Sequence, residues 1–263
     1  MTLPPNAILP SDAECTAKVS YAPETVPGNA PFNRTTATPE QLRNLAAAGY
    51  AFEKLTDYGS FQKISGSYTG TTDMQMRHAA CKFGIDEDVV RAQAWQESFW
   101  RQSQVGDKQS TRHLCVQGSF DALWNTSIEL INGSTVTCRN CCYQSWSAWQ
   151  TKVYYEWMTW PEIKDSTSFA AEFRYATTRA CINGAFQPYF THQPPNTYAR
   201  DIASYMRNPT TAGLDIILWG CIGMHYSGGW YDSGSREYIG DVRANLDCHR
   251  WLKPGVHITS HCP

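Results

Sequence analysis

Long apolar runs are missing from this chain: the longest, Ile216 to Met224, contains two glycines and falls well short of the ~18–20 residues that a membrane span requires. Charge is also scarce. Only 17% of residues are Asp, Glu, Lys or Arg, against ~25% in an ordinary soluble domain, and 22 basic against 24 acidic side chains leave a formal net charge of −2. That balance excludes a polybasic nucleic-acid binder and a charge-rich disordered chain. The opening residues Met1-Thr2-Leu3-Pro4-Pro5 carry neither a basic region nor an apolar stretch, so no signal peptide is visible and the chain reads as a mature one. No His-Glu-x-x-His, phosphate-cradling glycine loop or Gly-x-Ser-x-Gly elbow occurs, which leaves metalloprotease, kinase and esterase chemistry without support.

What the chain does have is apolar and aromatic bulk. Hydrophobic residues reach 42%, with 10 Trp and 14 Tyr, enough to build the core of one sizeable domain. Ten cysteines are spread along the whole length, a pattern that favours disulfides and an oxidising compartment and leaves the pairing open. The spacing Cys138-x2-Cys141-Cys142, with Cys115 and His113 nearby, offers a zinc alternative. The second Cys-x2-Cys pair of such a site is missing, so disulfides are preferred and no metal or other cofactor is expected. Asn-x-Ser/Thr triplets at Asn33, Asn125 and Asn132 are compatible with export. We therefore expect a secreted, monomeric protein.

Residues 1–36 are rich in Pro, Asn, Ala and Thr without periodicity, and read as an extended arm stapled by Cys15. Thr38-Pro39-Glu40 and Gly49 bracket a helix over 39–48, and residues 58–72 read as a loop or hairpin. Thr72-Asp73-Met74-Gln75 and Gly84 bracket a second helix over 73–83. Further on, Phe169, Phe173, Ala176 and Ala180 predict an amphipathic helix over 168–182. The stretch from Leu214 to Met224 is apolar all round and reads as the buried central helix. Ser235 caps a last helix whose face holds Tyr238, Val242, Leu246 and Trp251, while Asp232 reads as a turn and near-cap residue. By contrast, residues 101–165 are rich in Trp, Asn, Ser and Cys and lack a clear period, which reads as a long insertion.

The helix from Glu87 to Ser98 is the most informative. Asp86 caps it, and acids in its first turn suit the macrodipole. Val90, Ala94 and Glu97 stand at i, i+4 and i+7, so Glu97 lies on or beside the apolar stripe. A carboxyl there, near Trp95, Phe99 and Trp100, has the environment of a general acid. The plainer alternative is a helix-end glutamate paired to Arg101 or Arg91.

The segment Asp-Glu-Asp-Val-Val-Arg-Ala-Gln-Ala-Trp-Gln-Glu-Ser (86–98) resembles the Glu-Ser helix of soluble lytic transglycosylase and goose-type lysozyme domains. In order after it come Ser147-Ala148-Trp149-Gln150, similar to that family's Gly-Leu-Met-Gln turn with Ser147 at the glycine position; Met224-His225-Tyr226-Ser227-Gly228, similar to its Ala-Tyr-Asn-Ala-Gly segment; and Tyr238-Ile239, similar to its Tyr-Val pair. The resemblance spans residues 72–252. It implies a mostly α, lysozyme-like fold over residues 37–263, Glu97 as the catalytic acid with Ser98 beside it, and a polysaccharide substrate, peptidoglycan first. Tyr226 and Tyr238 would orient the acid and the sugar, and Gln150 would donate to a hydroxyl or acetamido group.

Hydrolysis needs a second group at the anomeric centre. Asp107, ten residues beyond Glu97, is the candidate to hold a water in an inverting reaction; its alternative is a surface turn aspartate. A transglycosylase needs no such carboxylate. The tryptophans exceed the needs of a core, and those from Trp146 to Trp160, Trp149 among them, are candidates for a sugar-stacking cleft wall. Chitin or chitosan would engage a similar cleft, and the weak negative charge offers no steering to an anionic wall. A non-catalytic glycan-binding module on the same fold is the remaining alternative.

Overall fold

A computed structural model describes residues 1–51, 55–116, 120–190 and 197–252. Among these are ten helices: α1 (Asp12–Lys18), α2 (Pro39–Ala47), α3 (Thr72–Phe83), α4 (Glu87–Ser98), α5 (Glu162–Asp165), α6 (Thr167–Ile182), α7 (Gln187–Phe190), α8 (Tyr198–Arg207), α9 (Thr211–Ser227) and α10 (Ser233–Cys248). Five short strands, β1 (Val105–Gln109), β2 (Ser127–Glu129), β3 (Thr135–Thr137), β4 (Cys142–Trp146) and β5 (Thr151–Lys152), form two small sheets. The protein is mostly helical, as its periodicities predict. No helix of the described residues is long and apolar enough to cross a membrane.

The helices expected from caps and periodicity are present with ends within a few residues of those predicted. Thr38 closes a capping box with Gln41 before α2, and Gly84 ends α3 in the left-handed conformation at φ 59°, where a side chain costs most and glycine least. The first residue of α10 follows Asp232, whose carboxylate accepts from the Ser235 amide. The cap is therefore Asp232 rather than Ser235, because a carboxylate both caps and meets the positive end of the helix dipole.

The centre of the fold is α6. It packs on α3 and α9, while α10 packs on α4 and α9. Every residue from Thr167 to Ile182 is buried, although a one-sided stripe is expected there. Several of its polar side chains find partners inside, while Thr167 Oγ1 and Arg174 Nε and Nη2 have none among the described residues. Glu172 accepts from the amides of Ser65 (2.6 Å) and Gly66 (3.0 Å) and from Lys82 (3.0 Å), and Arg179 donates to the carbonyls of Leu3, Pro4, Phe83 and Gly84. The expected central helix, α9, buries only Ile217 to Met224, and Ile216 is 47% exposed.

The N-terminal segment is more structured than an extended arm. A Ser11/Glu14 capping box opens α1, and Phe32 is fully buried. Asn29 donates to Thr72 and to the Trp100 carbonyl. Seven residues of helix give too short a period to read from sequence. Asn33, in one of the three sequons, is buried and donates to Glu24 and Thr72, which removes it as a surface attachment point. Residues 58–72 form a loop with one 3-10 turn at Phe61–Lys63 and no strand.

Four disulfides lie among the described residues: Cys15–Cys81, Cys115–Cys142, Cys138–Cys141 and Cys181–Cys221. Cys15 thus staples the N-terminal segment to α3, as expected, and Cys181–Cys221 joins α6 to α9. The Cys138-x2-Cys141 spacing is a bridge and not a zinc half-site. Cys262 lies outside the described residues. Residues 101–165 contain both sheets. In one, β4 pairs antiparallel with β1 (Val105 opposite Trp146) and with β5 (Ser145 opposite Lys152).

Candidate active site

Glu97 stands one residue before the end of α4, where the chain leaves the helix through Phe99 in the left-handed region (φ 54°). Its side chain is only 11% exposed. Neither expected alternative partner takes it: Arg91 is bound to Asp73, Glu87 and Asp88, and Arg101 donates to the Ser98 carbonyl. Instead the Tyr238 hydroxyl, from α10, donates to Glu97 Oε1, and His225 Nε2, from α9, lies 3.2 Å from the same oxygen. Both contacts converge on Oε1. Oε2 carries no hydrogen bond among the described residues.

A directional chain stands behind this carboxylate. Trp149 Nε1 donates to the Tyr175 hydroxyl at 3.0 Å. That hydroxyl donates to Gln93 Oε1 (3.2 Å) or to the Val90 carbonyl (3.1 Å). Gln93 Nε2 donates to the Tyr238 hydroxyl at 3.2 Å, which then has its own proton to give to Glu97. Burial, followed by the charge of Glu97, pushes the Tyr238 phenol well above its usual range, so it remains a donor. Burial likewise raises Tyr175. Such chains polarise one another and hold side chains in one arrangement.

Arg174, on α6, completes the cluster. It is buried, and its Nε and Nη2 have no hydrogen-bond partner among the described residues. Its charge acts on Tyr238, Tyr175, Glu97 and Glu156. Burial draws its own pKa down, and these neighbours oppose the shift. Desolvation also pushes the Glu156 carboxyl up to about 7, with Arg174 the main opposing influence. His225 is held below its ordinary range, first by burial and then by Arg174, against the pull of Glu97.

The other expected site residues fall into two groups. Tyr226 is 65% exposed and stacks on Tyr238 with ring centres 5.2 Å apart and planes 7° from parallel, so an aromatic surface adjoins the carboxyl. Trp149 and Ser98, in contrast, are buried. Trp149 has no face open to a sugar, and the Ser98 hydroxyl is spent on the Ala148 carbonyl at 2.9 Å, tying α4 to the 147–150 turn. Both are corrected from contact residues to supports. Gln150 turns its amide back onto the carbonyls of Ser147 (2.9 Å) and Gln104 (3.3 Å). Asp107 projects from β1, where it accepts from the Ser145 hydroxyl at 2.6 Å and pairs with Lys152 at 3.4 Å. None of its contacts joins the Glu97 cluster. Among the tryptophans from Trp146 to Trp160, Trp146 is also core, and Trp157, at 39%, is exposed.

Sequence reasoning missed His225, Arg174, Glu156, Gln93 and Tyr175. Two signals were available. Gln93 lies one turn before Glu97 on the same face of α4, and Arg174 follows Phe173 directly on a helix expected to turn Phe169, Phe173, Ala176 and Ala180 to the core, an oddity of the kind that singles out Glu97. Elsewhere, Asp12, His78 and Glu172 bring ligand atoms within 4.8 Å of one another. The ammonium of Lys82 already sits at 2.6 Å from Asp12 and 3.0 Å from Glu172, occupying the place of a cation.

The chain has no match among family models, curated proteins or solved structures.

Proposed function

We propose that the protein is a secreted, monomeric glycosidase with a lysozyme-like domain that cleaves β-linked polysaccharide, peptidoglycan above all, as a muramidase or lytic transglycosylase. Glu97 is its general acid. The observation that carries this reading is the asymmetric carboxyl: a nearly buried glutamate anchored at Oε1 by Tyr238 and His225, with Oε2 left for a ligand beside the exposed ring of Tyr226. Oε2 protonates the leaving oxygen as the glycosidic C–O bond breaks, and the carboxylate that remains keeps the Tyr238 hydrogen bond. In the transglycosylase branch it then accepts the proton of the sugar's own 6-hydroxyl. The disulfides fit an extracellular setting.

In the hydrolytic branch, Glu156 takes the water-activating role that the sequence assigns to Asp107. Its carboxyl shares Arg174 with Glu97 and titrates near the pH at which a base works best, whereas Asp107 is committed to Ser145 and Lys152.

The test is to incubate the protein with peptidoglycan, chitin and chitosan and to weigh the products. An anhydro-sugar end marks a transglycosylase and a reducing end a hydrolase. Glu97→Gln keeps the shape and removes the transferable proton, so activity should fall by at least ~10². Wild-type turnover by that variant rejects Glu97 as the acid. Binding to all three glycans without cleavage favours a non-catalytic module.

A further inference from the structure

The fold sorts the three Asn-x-Ser/Thr triplets of the chain. Asn33-Arg34-Thr35 lies inside: Asn33 is 3% exposed, and its Nδ2 donates to Glu24 Oε2 at 2.6 Å and to Thr72 Oγ1 at 3.1 Å. Both hydrogens of that amide are spent on a buried network, and a substituent on Nδ2 would remove one of them. Asn125-Thr126-Ser127 stands at the open end of the β2–β3 hairpin, where Asn125 is exposed but fastened. Its backbone N–H donates to the Cys141 carbonyl at 2.9 Å, its Oδ1 accepts from the Asn140 amide at 3.0 Å, and the Ser127 hydroxyl pairs with Thr137 across the strands at 3.1 Å. Asn132-Gly133-Ser134 forms the turn of the same hairpin, and every residue from Ile131 to Thr135 is exposed. Asn132 Oδ1 accepts from the amide of Ser134 at 3.1 Å and from its hydroxyl at 2.7 Å. A backbone N–H can only donate, so the atom that faces it is the oxygen, and the amide nitrogen is turned away from the turn. That nitrogen has no hydrogen-bond partner among the described residues.

We infer that Asn132 is an acceptor for N-linked oligosaccharide and that Asn33 stays bare. The inference rests on the reading of the protein as exported and not on the role of Glu97. The donor is a polyprenyl diphosphate-linked oligosaccharide, delivered by a transferase that reads the Asn-x-Ser/Thr triplet. Nδ2 forms a bond to the anomeric carbon of the first sugar, the C–O bond to the diphosphate breaks, the diphosphate keeps the electron pair, and one amide proton passes to a base of the transferase. The product retains one N–H and the Oδ1 acceptor, so both hydrogen bonds from Ser134 survive the modification. The place suits a bulky, solvated group. Among the described residues β2 and β3 pair only with each other, so their outer edges are open to other strands, and Ile131, beside Asn132, is 50% exposed. An oligosaccharide on the turn covers that apolar side chain and obstructs edge-to-edge pairing.

The test is to secrete the full chain from a eukaryotic host behind that host's own leader. An endoglycosidase then trims the product to one N-acetylhexosamine on each attached asparagine, and the hexosamine-bearing peptides are mapped by mass. The sugar left on the peptide separates attachment from deamidation of the Asn132-Gly133 pair. Hexosamine on Asn132 and none on Asn33 is expected. A bare Asn132 overturns the inference, and so does hexosamine on Asn33 in the disulfide-intact protein. Ser134→Ala keeps the asparagine and removes the hydroxyl of its triplet, so the hexosamine on Asn132 should be lost; a retained one overturns the assignment. The host supplies the export route, so a bare Asn132 leaves both export and Glu97 as the acid standing. A modified Asn132 in a protein that cleaves no glycan keeps this inference and rejects the glycosidase.

Discussion

The helical body and the sheet-bearing stretch from β1 to β5 are held together by different means. In the body, α6 is buried on all sides and two of its charged groups are matched internally, Glu172 by Lys82 and two amides and Arg179 by backbone carbonyls. In the stretch from Val105 to Lys152 the strands are two to five residues long, and two disulfides tie Cys115 to Cys142 and Cys138 to Cys141. Trp146 and Trp149 then plug the stretch into the core. The body rests on buried polar groups that are largely paired; the sheet stretch relies on covalent links and a few large rings. The site lies where the two meet, with Glu97, Arg174, His225 and Tyr238 from helices and the Trp149 carbonyl and Glu156 from the segment that leaves the sheet.

The largest effect should come from breaking a matched charge in the body. Glu172→Ala leaves Lys82 with the Ser65 hydroxyl and with Asp12, whose side chain is 48% exposed, and strips the Ser65 and Gly66 amides of their acceptor. Denaturant unfolding should report a loss of about 3–5 kcal/mol. A loss under 1 kcal/mol would mean that the body does not depend on this pairing.

A middle-sized effect belongs to the junction. The Glu156 carboxyl titrates near 7 in the folded protein, raised by burial from 4.5. Because the folded state holds this proton more tightly than the unfolded one, the associated stability is fully present below about pH 4.5 and is lost as pH rises through about 7. Wild type should lose on the order of 2 kcal/mol across that interval, and Glu156→Gln should flatten the slope. Parallel pH profiles for the two proteins would refute the desolvated carboxyl.

The smallest effect tests the sheet side. Ser147 is held at φ 78°, a conformation that suits glycine, and its hydroxyl accepts from the Trp149 amide at 3.3 Å. Ser147→Gly relieves the backbone and gives up that bond, and the two roughly cancel, so thermal unfolding should register a change below about 1 kcal/mol. Ser147→Val should cost clearly more, because a β-branched side chain is strained at positive φ.

Local signals decided a good deal of this protein. Caps at Thr38 and Asp86 and the stop at Gly84 mark helix ends by short-range hydrogen bonding, and the spacing of Val90, Ala94 and Glu97 puts a carboxyl at the edge of an apolar face. These depend on neighbours within one or two turns, so they survive in the sequence. Which helix is central did not. Apolar content favours α9, but α6 is the helix buried on every side, because Glu172 and Arg179 meet partners that lie about a hundred residues or more away in the chain. The same holds for the site: Glu97 is visible as an anomaly on its own helix, while Oε1 acquires His225 and Tyr238 only when α9 and α10 pack against α4. The distinction between Trp149 as a wall and Trp149 as a buried donor to Tyr175 is likewise tertiary. A sequence states which groups need partners, and only the packed chain decides which partners come within 3 Å.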